Sequence, residues 1–478
     1  MPLPDLIEIV PLDKPVQAEI AVPGAKSITN RALILAALAE GETTLQGALW
    51  SEDTQVMVEA LRQLGFEVKL EPDPEEFCNR TIAVKGRGGR IPKAGTAENP
   101  LELFVGNAGT AARFLAALVC LGRGAYRLHG TPRMHERPQQ PLFKALRELG
   151  YLITSANDRL PALISGSGPR AGKCLVNIDE SSQFASALIL CSIKGRWQLE
   201  ITGKNAEEAP YVRMTDKLLA VFPARGGTFQ IEPDASSGSY FLAAAQLAPA
   251  APTPALPSRV VSERAELAAQ LMQLGRESSV SVIHWPASGW QVDERFPIVL
   301  RRNTALYRGL EFLRHPDLQA DRIGDFRGMF ESPPISRNSD LGDGIMTAVV
   351  IAAFSVDPVR FTDLGRLRVQ ECERVVALRT ELTRCGAKVI EEGDTLTVYP
   401  SELHGAEIET YNDHRMAMCF AILGLKIPGI KVKNPACVKK TFPNFFQKLA
   451  AAPPRGLGAT IRDARTGRAL SGDELFAD

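Results

Sequence analysis

Six times along this chain a short polar cluster leads straight into an apolar helical run, and this recurrence limits its fold more than any other feature. The first three are Lys26-Ser27-Ile28-Thr29-Asn30 into RALILAALA, Gly106-Asn107-Ala108-Gly109-Thr110 into AARFLAALVCL, and Asp179-Glu180-Ser181-Ser182-Gln183 into FASALILC. The second three are Asp234-Ala235-Ser236-Ser237 into GSYFLAAAQL, Gly342-Asp343-Gly344 into IMTAVVIAAF, and Tyr411-Asn412-Asp413-His414 into RMAMCFAILGL. Polar caps satisfy the first backbone N–H groups of a helix, and helices apolar on most faces must be buried. Amphipathic segments ending near Leu-Gly and running into alternating strands fall between them, as in 59–70, 144–154 and 379–400. The pattern predicts an α/β (α+β) protein of six units, three in each half, around buried central helices.

A chain of 478 residues is too long for one hydrophobic core, which agrees with two domains. With 55 basic and 55 acidic residues it lacks the cationic excess that nucleic-acid or membrane-surface binding needs. Any anion site must come from a local cluster. The eight cysteines form no CxxC pair and the six histidines are scattered, so a zinc site is not expected. Cys120, Cys191 and Cys419 lie inside apolar runs as small core residues. The N-terminus has no signal-peptide pattern and no apolar run spans a bilayer, so reduced cytosol is the simplest location. The Pro/Ala-rich stretch 248–258 reads as an insertion, 301–338 is irregular, and the tail from Pro453 reads as loosely attached.

Helix N-termini favour anions, and several here also carry cations: Lys26 and Arg31, Arg113, and Arg415. Arg133 and Arg137, Arg368 and Arg374, and Lys439 and Lys440 lie in intervening loops. Each alone is more often a solvated charge or a surface pair. Recurring at equivalent places, they point to one polyanion pocket, for which arginine's bidentate geometry is suited. Asp343 reads either as a helix cap or as a proton acceptor, and Glu371 either as a structural ion pair or as a proton donor. Pro23-Gly24-Ala25-Lys26-Ser27 is similar to a P-loop ending, but Ile20 and Ala25 stand where that motif needs glycine.

The motifs PGAKSITNRALILAALAEG, GNAGTAARFLAAL, PRMHERP, SSQF, DASSGSYFLAAA, YNDHRMAMCFA and KTFPNFF are specific in this order, and with them the chain resembles the 5-enolpyruvylshikimate-3-phosphate synthase family from about Ile20 to Leu449. The resemblance implies an enolpyruvyl transferase fold of six βαβαββ-type repeats. One domain would be 1–22 and 236–478, with an insertion at about 248–338, and the other 23–235, with a substrate cleft between them. It also implies a likeness in reaction, transfer of the enolpyruvyl group of phosphoenolpyruvate to the 5-hydroxyl of shikimate-3-phosphate by a monomer without metal or cofactor.

By that resemblance Ser27 and Arg31 would hold the acceptor's carboxylate, and Ser181 and Ser182 its phosphate, with Gln183 against the ring. Lys26, Arg137 and Lys440 would surround the phosphate of phosphoenolpyruvate, and Arg374 and Arg415 its carboxylate. Asn107, Gly109, Thr110 and Arg113 would wall that ligand. Asp343 would act as base, Glu371 as acid, and His414 would support Glu371. Two positions depart from the family pattern: Glu208 stands where a phosphate-binding serine is usual, and Gln370 replaces a lysine that reaches the acceptor. They leave two alternatives open, the same chemistry on a different, non-phosphorylated acceptor, or a non-catalytic anion-binding relative.

Overall fold

The computed structural model describes residues 3–203, 209–249, 279–302, 333–355 and 357–477. The chain divides into two compact units, one of Met1–Val22, Ala235–Trp285 and Val292–Asp478, the other of Pro23–Asp234 and Pro286–Gln291.

All six apolar runs form helices. In the second unit these are Lys26–Leu38, Gly109–Cys120 and Gln183–Gly195, and the three pack against one another. In the first unit they are Ala235–Leu247, Ile345–Ile351 and His414–Gly424, likewise in mutual contact. The sequence dictates this: every residue of Gly109–Cys120 is buried, and no face offers water a polar stripe. Phe420, fully buried in the sixth helix, shows the scale involved, since truncating such a side chain to alanine costs about 3–5 kcal/mol.

Among the described residues each unit has two sheets of four strands, and all repeat one pattern. A parallel edge strand is followed by two antiparallel pairings, as in Gly227–Gln230, Glu42–Leu49, Asn79–Lys85 and Val68–Pro72. The counterparts are the sheets begun by Leu101–Phe104, Ile335–Ser336 and Glu407–Ile408. Each unit adds a parallel two-stranded ribbon, Gly172–Asn177 with Trp197–Thr202 in one and Gln17–Ile20 with Ser279–Val282 in the other.

Three expectations need correction or limit. The tail is docked rather than loose: Ile461–Asp463 pairs antiparallel with Leu6–Ile9, and Leu470 and Leu475 are buried. Few apolar residues are needed there because each one fills the core. Part of the expected insertion is core as well, since Ser279–Val282 is a strand and Phe296 and Val299 of the helix Phe296–Arg302 are buried. The stretches 250–278 and 303–332, and Glu208, lie outside the described residues.

Cys120, Cys191 and Cys419 are buried as expected, and burial pushes their thiols up, Cys419 to about 12. Among the described residues no helix is long and apolar enough to cross a membrane.

Candidate active site

The first unit concentrates charge around Arg374, the opening residue of the helix Arg374–Arg384. Its guanidinium is buried and takes Asp413 through Nε at 2.7 Å and Nη2 at 3.2 Å. Nη2 also lies 2.9 Å from Glu371, and Nη1 lies 3.8 Å from Asp343 and donates to the Gln370 amide oxygen. Burial opposes the charge, but Asp413, Glu371 and Asp343 outweigh it and hold Arg374 above the ordinary arginine range. Glu371 is shared with Lys440 at 3.1 Å. Asp413 also accepts from the backbone N–H of Arg415, capping the helix His414–Gly424.

Asp343 is not the cap of its helix. That helix, Ile345–Ile351, is capped at Gly344, and the Asp343 carboxylate turns instead toward three guanidiniums. Arg337 approaches at 3.2 Å, Arg415 at 3.3 Å and Arg374 at 3.8 Å. Burial alone would raise this carboxyl; Arg415, Arg374 and Arg337 overcome it and hold Asp343 far below the usual carboxylate range, with Glu371 acting against them.

The turn carrying Asp343 is gripped by Asp293, which is buried and accepts from Gly342 N–H at 2.6 Å and from Gly344 N–H at 3.1 Å, and also from the Ser236 hydroxyl. Burial raises the Asp293 carboxyl and Asp343 adds to that, while the Ser236 hydrogen bond lowers it.

The second unit carries the other cations. Lys26 pairs with Asp53 at 3.1 Å. At the start of Gly109–Cys120, Arg113 donates to the Gln183 amide oxygen at 2.7 Å, and the Gln183 amide donates to Thr110 at 3.2 Å. Arg137 donates to the Asn107 carbonyl at 3.0 Å. A Cβ on Gly109 would stand 2.6 Å from both the Arg113 and Arg137 guanidiniums, so only glycine lets these cations lie over the helix start. Ser181 and Ser182 are buried at the head of Gln183–Gly195.

Arg31 is buried and held by Thr215 at 2.8 Å, the Ser27 carbonyl at 2.8 Å and Ser186 at 3.0 Å. Burial lowers it to about 10, against the raising influence of Tyr211. These contacts brace the first helix against its neighbours.

Among the sequence candidates, Asp343, Glu371, Arg374, Arg415 and Lys440 form one linked cluster, with Gln370 and Asp413 attached and His414 buried next to Asp413. Arg133 and Arg368 stand apart. Arg133 pairs with Glu136 on the surface, and Arg368 is consumed by Glu373, Glu391 and Asp394. Arg337, Asp293 and Asp53 were not singled out in the sequence, and Asp413 stood there only within a helix-leading cluster. Asp293, Asp413 and Asp53 act through partners 49, 39 and 27 residues away, and Arg337 through Asp343, 6 residues on; no local pattern marks these pairings.

Paired sheets around buried helices, with arginines and lysines gathered at helix starts, define a two-domain α/β protein equipped for polyanionic ligands. The chain belongs to the EPSP synthase (3-phosphoshikimate 1-carboxyvinyltransferase) family, whose pattern it matches over residues 11–225 and 337–449. It is 36% identical to the 3-phosphoshikimate 1-carboxyvinyltransferase of Opitutus terrae, over 96% of this chain and 100% of that one. The enzyme of the same name from Trichormus variabilis is 36% identical over 93% of this chain and 98% of its own. The solved EPSP synthase of Acinetobacter baumannii shares the fold, with a TM-score of 0.65 at 20% identity, covering 96% of this chain and 100% of that one.

Proposed function

We propose that this chain transfers the enolpyruvyl group of phosphoenolpyruvate to the 5-hydroxyl of shikimate-3-phosphate and releases phosphate. The observation that carries the mechanism is the position of Arg374, whose one guanidinium lies 2.9 Å from Glu371 and 3.8 Å from Asp343. A carboxylate drawn to that cation has an acid on one side and a base on the other.

As phosphoenolpyruvate claims Arg374 and Lys440, Glu371 takes up a proton; in the first step it gives that proton to the methylene carbon of phosphoenolpyruvate, leaving the central carbon electrophilic. The acceptor hydroxyl adds there and Asp343 takes its proton, which gives a tetrahedral adduct. The bond to the phosphate oxygen then breaks, a methyl proton returns to Glu371, and the Asp343 proton leaves with phosphate. Arg374 and Arg415 hold the carboxylate of phosphoenolpyruvate, while Lys440, Lys26 and Arg137 hold its phosphate. Ser27 and Arg31 take the acceptor's carboxylate, Ser181 and Ser182 its phosphate, and Gln183 its ring. Asn107, Gly109, Thr110 and Arg113 wall the phosphoenolpyruvate side, and His414 backs the Glu371 side.

This chemistry requires both sets of cations to reach one pair of ligands, since two anions must be brought into contact against their repulsion. Domain closure around the substrates is part of the reading, as is a monomer working in the cytosol. A phosphate-release assay with phosphoenolpyruvate tests it: turnover with shikimate-3-phosphate supports the reading. Turnover with unphosphorylated shikimate alone would transfer it to a different acceptor, as Glu208 and Gln370 suggest.

A further inference from the structure

Charged groups face Asp343 from several of the elements packed around it. Arg337 follows the strand Ile335–Ser336, Glu371 and Arg374 flank the start of Arg374–Arg384, and Arg415 comes from His414–Gly424. Asp293 lies behind the turn, bonded to the amides on either side. In the proposed reaction Arg374 and Arg415 turn to the carboxylate of phosphoenolpyruvate. They then share their charge with a second anion, and Asp343 loses much of what keeps it ionised in a buried site. That reading assigns no ligand to Arg337. Its side chain is 1% exposed, its Nη2 lies 3.2 Å from Asp343 Oδ1, and its backbone N–H is tied to the Thr362 carbonyl at 3.1 Å. Arg374 and Arg415 meet the other oxygen, Oδ2. The two carboxylate oxygens are thus divided between a substrate-binding pair of cations and Arg337.

We propose that Arg337 is a positioning residue for the base, holding the Asp343 carboxylate aimed and ionised through Oδ1 while Oδ2 is turned to the acceptor hydroxyl. The proposal rests on the assignment of Asp343 as base. Arg337 touches neither substrate and moves no proton. Its effect is to set where along the pH scale Asp343 becomes competent and to fix which oxygen receives the proton. Removing a cation from beside a carboxylate raises the pH needed to ionise it, so loss of Arg337 should appear in the pH profile as well as in the rate.

The test is steady-state phosphate release by the full-length protein, with saturating phosphoenolpyruvate and shikimate-3-phosphate, from pH 5 to 9. Arg337→Met, Arg337→Lys and Asp343→Asn are compared with the wild type. We expect Arg337→Met to lower kcat by about ten- to a hundredfold, part of the range general-base catalysis spans. Its acidic limb should move to higher pH by about one unit, and KM for phosphoenolpyruvate should stay within about twofold. Arg337→Lys keeps the charge, so its limb should stay in place and kcat should recover to within about tenfold of wild type. An Arg337→Met protein with an unmoved limb overturns the proposal. So does a folded Arg337→Lys protein whose limb is displaced, and this second comparison decides the matter if the methionine variant does not fold. Should Asp343→Asn retain wild-type turnover, the assignment of the base itself fails; loss of turnover there beside an unchanged Arg337→Met profile overturns only the role given to Arg337.

Discussion

Arg374 and Asp413 form a two-point ion pair, Nε to Oδ2 at 2.7 Å and Nη2 to Oδ1 at 3.2 Å, and both side chains are withdrawn from solvent. Asp413 simultaneously caps the helix His414–Gly424 through the Arg415 amide. One carboxylate therefore orients the Arg374 guanidinium and caps the helix that carries Arg415.

Breaking that pair should damage the protein itself, beyond its chemistry. Arg374→Met leaves Asp413 buried without its main countercharge, a change that costs about 3–5 kcal/mol. Chemical denaturation should show a loss of that order, together with lost turnover. A variant as stable as wild type would show that the pair is not needed for the fold.

Gly109 is predicted to be intolerant of the smallest side chain. The methyl of Gly109→Ala must displace the Arg113 and Arg137 guanidiniums, which a Cβ would meet at 2.6 Å. KM for phosphoenolpyruvate should rise about tenfold or more, the loss of roughly one charge-assisted contact, with little change in melting temperature. An unaltered KM would place phosphoenolpyruvate elsewhere.

The ionisation of Asp343 should depend on what is bound. In the ligand-free protein burial is overcome by three guanidiniums, and the carboxyl is held far below its usual range. Its folded value is depressed, so the stability it contributes is present at neutral pH and is lost only as strong acid protonates it. Binding of an anionic carboxylate at Arg374 and Arg415 pushes the same group upward. The acidic limb of kcat should therefore lie at higher pH than that of kcat/KM, once the ionisation of the substrates is allowed for. Coincident limbs would mean that Asp343 does not sense phosphoenolpyruvate.

How far the sequence led depends on whether the information was local. The buried helices were legible because runs such as AARFLAALVCL leave no polar face. Asp343, Glu371, Arg374, Arg415 and Lys440 stood in recognisable segments, and they cluster. Arg337 and Asp293 did not stand out, since each is one charge in a polar stretch and acquires meaning only by contact with the Gly342–Gly344 turn. The tail was misread for a related reason. Ile461, Leu470 and Leu475 are too widely spaced to form a pattern, yet each is buried, and Ile461 pairs through its backbone with Ile9. Arg31 was singled out from its motif, but the anchoring of its guanidinium by Thr215 and Ser186 was not legible there, since these stand 184 and 155 residues along the chain.

The central claim is that Glu371 and Asp343, on either side of Arg374, divide the proton traffic between a methylene carbon and a hydroxyl. Turnover of phosphoenolpyruvate and shikimate-3-phosphate in deuterium oxide, with the enolpyruvyl product read by mass spectrometry, tests it most directly. The account predicts deuterium in the product's methylene group, because the methyl formed by Glu371 gives back any one of its hydrogens, and loss of that labelling with loss of turnover in Glu371→Gln. A product formed at full rate with an unlabelled methylene would contradict it.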